Sequence, residues 1–181
     1  MFIDRDGTLI EETGYLSRLD RLVVFPYAVD AVRLLNRGGF AVVIVTNQAG
    51  VAKGLFDEAF VAQVHGTIDE RLRTGGAVVD GFFYCPHHPE AILEHLRVEC
   101  DCRKPRPGLM TRAARELNLD LARSFVVGDR LKDVQAGQAV GARTILVRTG
   151  DGAAESTLAA TTADATVDTL IGAAAWILQR A

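Results

Sequence analysis

The sequence predicts an α/β fold: a parallel sheet covered by helices on both faces. Three observations lead there. Short β-branched runs alternate with amphipathic stretches along nearly the whole chain. The strand-like runs are continuously apolar, as strands buried on both faces should be. The links between them are long enough for crossover helices, which makes neighbouring strands parallel and puts the ligand site beyond their carboxyl ends.

Met1 to Ile3 reads as the end of a first strand. Ala28 to Arg37 places Val29, Val32, Leu34 and Leu35 at helical spacing, and Gly38-Gly39 stops the helix. Phe40 to Val45 is a second strand. Asp57 is a good N-cap for a helix reaching Arg73. Val78 to Tyr84 is a third strand. Pro107 suits the first turn of a helix ending near Leu117. Phe125 to Val127 is a strand running into Gly128-Asp129. A helix over Leu131–Ala139, a strand over Thr144–Val147 and a helix over Leu170–Gln179 complete the pattern. The stretch from Gly150 to Ala165, rich in Ala, Thr, Gly and Ser, is expected to be a loose loop. Only three residues precede Asp4, short for a central strand, so a longer natural N-terminus is expected.

A chain of 181 residues, 49% hydrophobic and 24% charged, fits one folded domain over residues 1–181 and not a disordered chain. With 20 Lys+Arg against 23 Asp+Glu, no cation excess exists to neutralise a run of phosphates, so nucleic acid is not expected as a partner. No signal peptide opens the chain and no apolar run approaches membrane-spanning length. No membrane association, a cytoplasmic location and a monomer are expected.

The residues after the predicted strands share one chemistry. The first strand delivers Asp4, Asp6, Gly7 and Thr8; the second, Thr46 and Asn47; a later loop, Arg103-Lys104-Pro105; the Phe125 strand, Gly128, Asp129 and Asp133. Phosphoryl transfer needs these types. A carboxylate can attack phosphorus, and a second acid can protonate the leaving oxygen. Magnesium takes a few carboxylate oxygens, and a lysine with a hydroxyl can hold the equatorial oxygens. Thr46 alone could equally be a strand-end hydroxyl bonded to backbone, and Asp133 a helix N-terminal charge.

The order Asp-x-Asp-Gly-Thr, strand-Thr-Asn, Lys-Pro, Gly-Asp-x-x-x-Asp resembles the haloacid dehalogenase-like phosphatase superfamily, from Asp4 to about Arg148. The resemblance implies a Rossmann-like sheet with Asp4 as nucleophile and Asp6 as general acid, then base. It implies Mg2+ held by Asp4, the main-chain carbonyl of Asp6 and Asp129. Thr46 and Lys104 would grip the phosphoryl group, and Asp133 would orient Lys104 or a metal-bound water.

All three cysteines fall within 18 positions, as Cys85-Pro-His87 and Cys100-Asp-Cys102 with twelve residues between. Three thiolates and an imidazole form the closed ligand set of a structural Zn2+. His88 is an alternative fourth ligand, because sequence cannot order adjacent histidines. His65 and His95 are expected to be structural or exposed. The zinc loop runs directly into Arg103 and Lys104, so it should fix their approach.

Superfamily relatives often carry a cap domain after the first strand or before the lysine motif. Only 21 residues separate Asp6 from Ala28, and the zinc loop fills the second place, so no cap is expected. Short loops would then bind the substrate: Glu12, Tyr15, Asn47, Arg103 and Arg130, with Tyr15 alternatively a plain exposed loop residue. At finer grain, Asp4-Arg-Asp-Gly-Thr, Gly14-Tyr15, Thr46-Asn-Gln-Ala-Gly, Cys85-Pro-His-His-Pro, Cys100-Asp-Cys-Arg-Lys-Pro and Val147-Arg-Thr-Gly resemble the D-glycero-D-manno-heptose 1,7-bisphosphate 7-phosphatases. That resemblance implies a phosphorylated sugar as substrate, in assembly of activated heptose for bacterial surface glycans. Histidinol-phosphate phosphatases share the motifs and are the alternative, with a typically shorter stretch between the zinc histidine and the second cysteine pair. Arg130 departs from the lysine common in the heptose branch.

Overall fold

The computed structural model describes residues 1–159 and 162–180. Six parallel strands form one sheet in the order β3-β2-β1-β4-β5-β6: β1 Phe2–Ile3, β2 Val43–Asn47, β3 Gly81–Cys85, β4 Phe125–Gly128, β5 Arg143–Val147 and β6 Ala165–Val167. The chain runs outward from β1 to β2 and β3, then returns to the other side for β4. The topological switch point therefore lies at β1, between β2 and β4, where ligand sites of such sheets open.

Successive strand residues feed opposite faces. Ile3, Ile44, Val127 and Ile145 pack with helices α1 (Ala28–Arg37), α3 (Glu58–Thr74) and α7 (Leu170–Leu178). Phe2, Val43, Val45 and Val126 pack with α4 (Gly108–Leu117) and α5 (Leu131–Gln138). That alternation explains why the strands carry no polar face, and β1 is fully buried despite its length. A four-residue helix, α2 (Ala49–Ala52), turns the chain after β2. Asp57 caps α3 by accepting from the Phe60 amide at 2.8 Å. Between Asp6 and Ala28 the only regular pieces are a 3-10 turn at Leu19–Arg21 and two isolated bridges.

Three expectations shift. The second strand begins at Val43 and continues through Thr46-Asn47, which pair with Tyr84 and Cys85 of β3. Asn is a poor strand residue, but its amide is anchored on the Lys104 main chain. Val78 is not in the third strand, because its amide and carbonyl are tied to the Asn36 side chain. The stretch expected as a loop holds helix α6 (Gly152–Ala159), and its last residue, Ala165, opens strand β6. Glycines at 150 and 152 mask an alanine-rich run with high helix propensity, and Glu155 of that helix accepts from the Leu131 amide. Ala160 and Thr161 of that expected loop lie outside the described residues. No helix among the described residues is long and apolar enough to cross a membrane.

Candidate active site

The carboxyl ends of β1, β2 and β4 bring together the residues singled out above. Lys104 is the hub. Its ammonium, 1% exposed, sits 2.6 Å from Asp4 Oδ1, 2.6 Å from Asp133 Oδ1 and 2.8 Å from the Val45 carbonyl. Burial pushes that ammonium down, but the charges of Asp133 and Asp4 outweigh it and hold Lys104 above the usual lysine range. Asn47 donates to the Lys104 carbonyl and accepts from its amide, both at 3.0 Å. Expected as a substrate ligand, Asn47 thus commits its amide to bracing the lysine, and faces the cleft only from that position.

Asp4, Asp129 and Asp133 offer carboxylate oxygens within 4.8 Å of one another. One lysine cannot balance three buried acids. Burial pushes the Asp4 carboxyl up to about 6, with Lys104 opposing and Asp133 adding to the rise. Asp129 goes up to about 8, through burial first and then repulsion from Asp4 and Asp133. Asp129 Oδ1 is buried with no hydrogen-bond partner. An orphaned carboxylate oxygen among crowded acids fits a hard divalent cation such as magnesium. The Asp6 carboxylate, by contrast, turns away from this trio.

Main-chain elements shape the pocket around Asp129. Its Oδ2 accepts from the Asp151 amide at 2.9 Å, and Thr149 Oγ1 donates to the Gly7 carbonyl at 2.6 Å. A Cβ at Gly150 (φ +58°) would lie 2.2 Å from Asp129 Oδ2. Glycine is therefore required there by both space and conformation. Gly150→Ala is expected to lower the melting temperature by roughly 3–10 °C, from about 1–3 kcal/mol of strain; an unchanged thermal melt would refute this packing.

Asp6 faces a second group of donors. Arg5 grips it with Nε at 3.1 Å and Nη2 at 3.0 Å, Gln48 Nε2 donates at 2.9 Å and Thr46 Oγ1 at 3.1 Å. Burial pushes this carboxyl up, but the Arg5 charge and the hydrogen bonds outweigh it and hold Asp6 below the usual range. Thr46 thus bonds a side chain and not merely backbone. Arg5, Gln48 and the Thr149–Asp151 turn were not assigned site roles from sequence. Both Arg5 and Gln48 fall within the finer motifs Asp4-Arg-Asp-Gly-Thr and Thr46-Asn-Gln-Ala-Gly, although Arg5 holds the free position of Asp-x-Asp.

The cleft is lined by Glu12, Tyr15, Arg103, Arg130 and Lys132. Arg103 donates to the His87 carbonyl at 3.3 Å. Arg130 pairs with Asp151 and lies 3.9 Å from Glu12, which accepts from the Gly14 amide at 2.6 Å. Tyr15 is 42% exposed, with Lys53 Nζ 5.0 Å from its ring. Asp133 Oδ2 accepts from the Arg130 amide at 3.1 Å, so this residue both caps α5 and pairs with Lys104.

Beside the cleft, Cys85, His87, Cys100 and Cys102 converge. Cys85 Sγ is 3.5 Å from Cys100 Sγ and 3.7 Å from His87 Nδ1, Cys102 Sγ is 3.2 Å from Cys100 Sγ, and His87 Nδ1 is 3.3 Å from Cys102 Sγ. A tetrahedral zinc with Zn–S near 2.3 Å needs edges of roughly 3.8 Å, so the set is the right size. His88 stands outside it, its Nδ1 accepting from the Glu90 amide at 3.1 Å.

A parallel sheet with an acid trio, a buried lysine and a second, separately held aspartate at its switch point defines a haloacid dehalogenase-like phosphotransferase site. A HAD-hydrolase-like family model matches residues 101–173. The D-glycero-beta-D-manno-heptose-1,7-bisphosphate 7-phosphatase of Escherichia coli K12 is 44% identical over 83% of this chain and 79% of its own; that of Photorhabdus laumondii is 43% identical over 83% and 80%. The crystal structure of D,D-heptose 1,7-bisphosphate phosphatase from B. bronchiseptica complexed with magnesium and phosphate superposes with a TM-score of 0.88. It is 34% identical and covers all of this chain and 98% of that one. The chain belongs to the heptose bisphosphate phosphatase family of haloacid dehalogenase-like hydrolases.

Proposed function

We propose that this protein, acting as one uncapped catalytic domain, hydrolyses the 7-phosphate of D-glycero-β-D-manno-heptose 1,7-bisphosphate. The observation that carries the chemistry is the pair of differently held carboxylates. Asp4 is ion-paired to Lys104 and grouped with Asp129, while Asp6 stands in a separate cradle of donors.

Asp4 attacks phosphorus, the P–O bond to the sugar breaks, and Asp6 gives its proton to the leaving O7. A water that returns its proton to Asp6 then attacks the phosphorus of the aspartyl-phosphate. The bond to Asp4 breaks, freeing inorganic phosphate. Asp6 is held ionised in the free protein, and an arriving dianionic phosphoryl group opposes that charge and favours the protonated acid. Lys104 and Thr46 hold the phosphoryl oxygens. Asp4, Asp129 and the main-chain carbonyl of Asp6 would hold magnesium, with Asp133 orienting Lys104 or a metal-bound water. When bound, magnesium would supply neutralisation of charge between the attacking carboxylate and the phosphoryl group. Cys85, His87, Cys100 and Cys102 would hold a structural zinc.

The remaining phosphate at C1 meets Arg103 and Arg130 at the rim, where a fork-shaped guanidinium suits a second phosphate. Glu12 and Tyr15 flank the sugar. The test is a side-by-side kcat/KM comparison of both heptose bisphosphate anomers with histidinol phosphate. The β anomer should exceed histidinol phosphate by about 100-fold, the worth of one lost charge-assisted phosphate contact. Preference for histidinol phosphate would overturn the assignment. Equal rates on both anomers would remove the β specificity.

A further inference from the structure

Arg5 is the largest fully buried side chain among the described residues, 2% exposed, and it lies between the two aspartates of the first motif. Nε and Nη2 are occupied by Asp6. Nη1 meets Nε2 of His65 on α3, at 3.3 Å. A guanidinium has no acceptor, so this contact requires a lone pair on Nε2 and the proton on Nδ1. We propose that His65 is a positioning residue for phosphoryl transfer: through Arg5 it fixes the orientation of the Asp6 carboxyl that protonates the leaving oxygen.

The packing explains how one ring nitrogen can do this. The imidazole is 7% exposed and stacks on Phe82, with ring centroids 4.8 Å apart at 23°. Tyr84 meets it edge-on at 5.8 Å and 66°. The ring is held between two aromatic residues of β3, so its Nε2 is a fixed point on the rigid part of the fold. Burial, then the Arg5 charge, lowers its pKa to about 3, so it is a neutral acceptor through the working range. The chain of contacts runs from helix α3 through His65 and Arg5 to Asp6, and Thr46 on β2 and Gln48 at the N-cap of α2 close the cradle. Without the acceptor, a buried N–H would be left unpaired and the guanidinium would lose one of its two anchors.

The inference rests on Asp6 being the leaving-group acid, and the experiment separates the two ideas. kcat/KM reports the first irreversible step, and a misoriented acid matters more as the leaving group worsens. His65→Phe keeps an aromatic ring against Phe82 and removes the acceptor. It should lose about 10- to 100-fold on heptose bisphosphate, whose leaving oxygen is an alkoxide, and under about threefold on p-nitrophenyl phosphate. His65→Gln restores an acceptor and should return to within about threefold of the parent on both substrates. Equal losses of H65F on the two substrates, or H65Q no better than H65F, would overturn the proposal. If H65F does not fold, Arg5→Lys, which keeps the charge and loses the fork, must show the same split between substrates. Asp6→Asn tests the underlying reading: equal losses on both substrates there would remove Asp6 as the acid, whatever the His65 variants do.

Discussion

Asp4→Asn is expected to reduce phosphate release by about 10⁴-fold or more, because the amide cannot form the acyl phosphate through which both half-reactions run. The isosteric change leaves the fold intact. Lys104 retains Asp133 at 2.6 Å and the Val45 carbonyl at 2.8 Å. It also removes one of three buried acids; burial first, and repulsion among them after it, lifts Asp4 and Asp129 above their usual range. The variant should therefore melt at the same temperature as the parent or a few degrees higher, the signature of a site kept under electrostatic strain for function. Phosphate release measured with magnesium present, alongside a thermal melt, checks both halves. Turnover above a few per cent of the parent would rule out Asp4 as nucleophile. An inactive but strongly destabilised variant would mean that Asp4 serves mainly as the counter-ion of Lys104.

The convergence of carboxylates at the switch point was legible in the sequence because they sit just past strands, and strand ends are what periodicity and glycine punctuation reveal. The cysteine cluster was legible because its ligands are local: Cys-x-His and Cys-x-Cys need no knowledge of the fold. What was not legible depends on partners far apart in sequence. Arg5 and His65 are 60 residues apart, and nothing in helix α3 marks its histidine as facing the loop after β1 and not the core. Asn47 has a second role that sequence does not reveal: a polar residue beside Thr46 reads as a substrate ligand, and Asn47 does line the cleft. Its amide also bonds main-chain atoms 57 positions away. Helix α6 was missed because its opening glycines outweighed its alanines in a composition reading. The choice between His87 and His88 needed ring positions, which only the folded loop supplies.

Removing zinc is expected to cost about 10²-fold in turnover and roughly 10 °C in melting temperature, with magnesium present throughout. The expectation follows from what each end of the loop holds. Cys85 closes β3, and Cys102 is followed at once by Arg103 and Lys104. Lys104 must bring its ammonium into a site where it is 1% exposed, and the sulfur cluster is a close anchor on its N-terminal side. Asn47 holds the lysine main chain by two hydrogen bonds, so the loss should be partial. Within the loop, a single 3-10 turn at Glu94–Leu96 is the only regular element, and Ala91 and Leu96 are its buried apolar contacts with Val51 and Ala52. Three thiolates without a cation would repel, and protonated thiols would lack the bonds that set their spacing. The metal-stripped protein and Cys102→Ser should therefore show the same two losses, zinc should restore the first protein and not fully the second, and metal analysis should find one zinc per chain. Full activity in stripped protein would break the link between the loop and the lysine, while a stable, inactive stripped protein would place the whole effect on Arg103 and Lys104 and none on the fold.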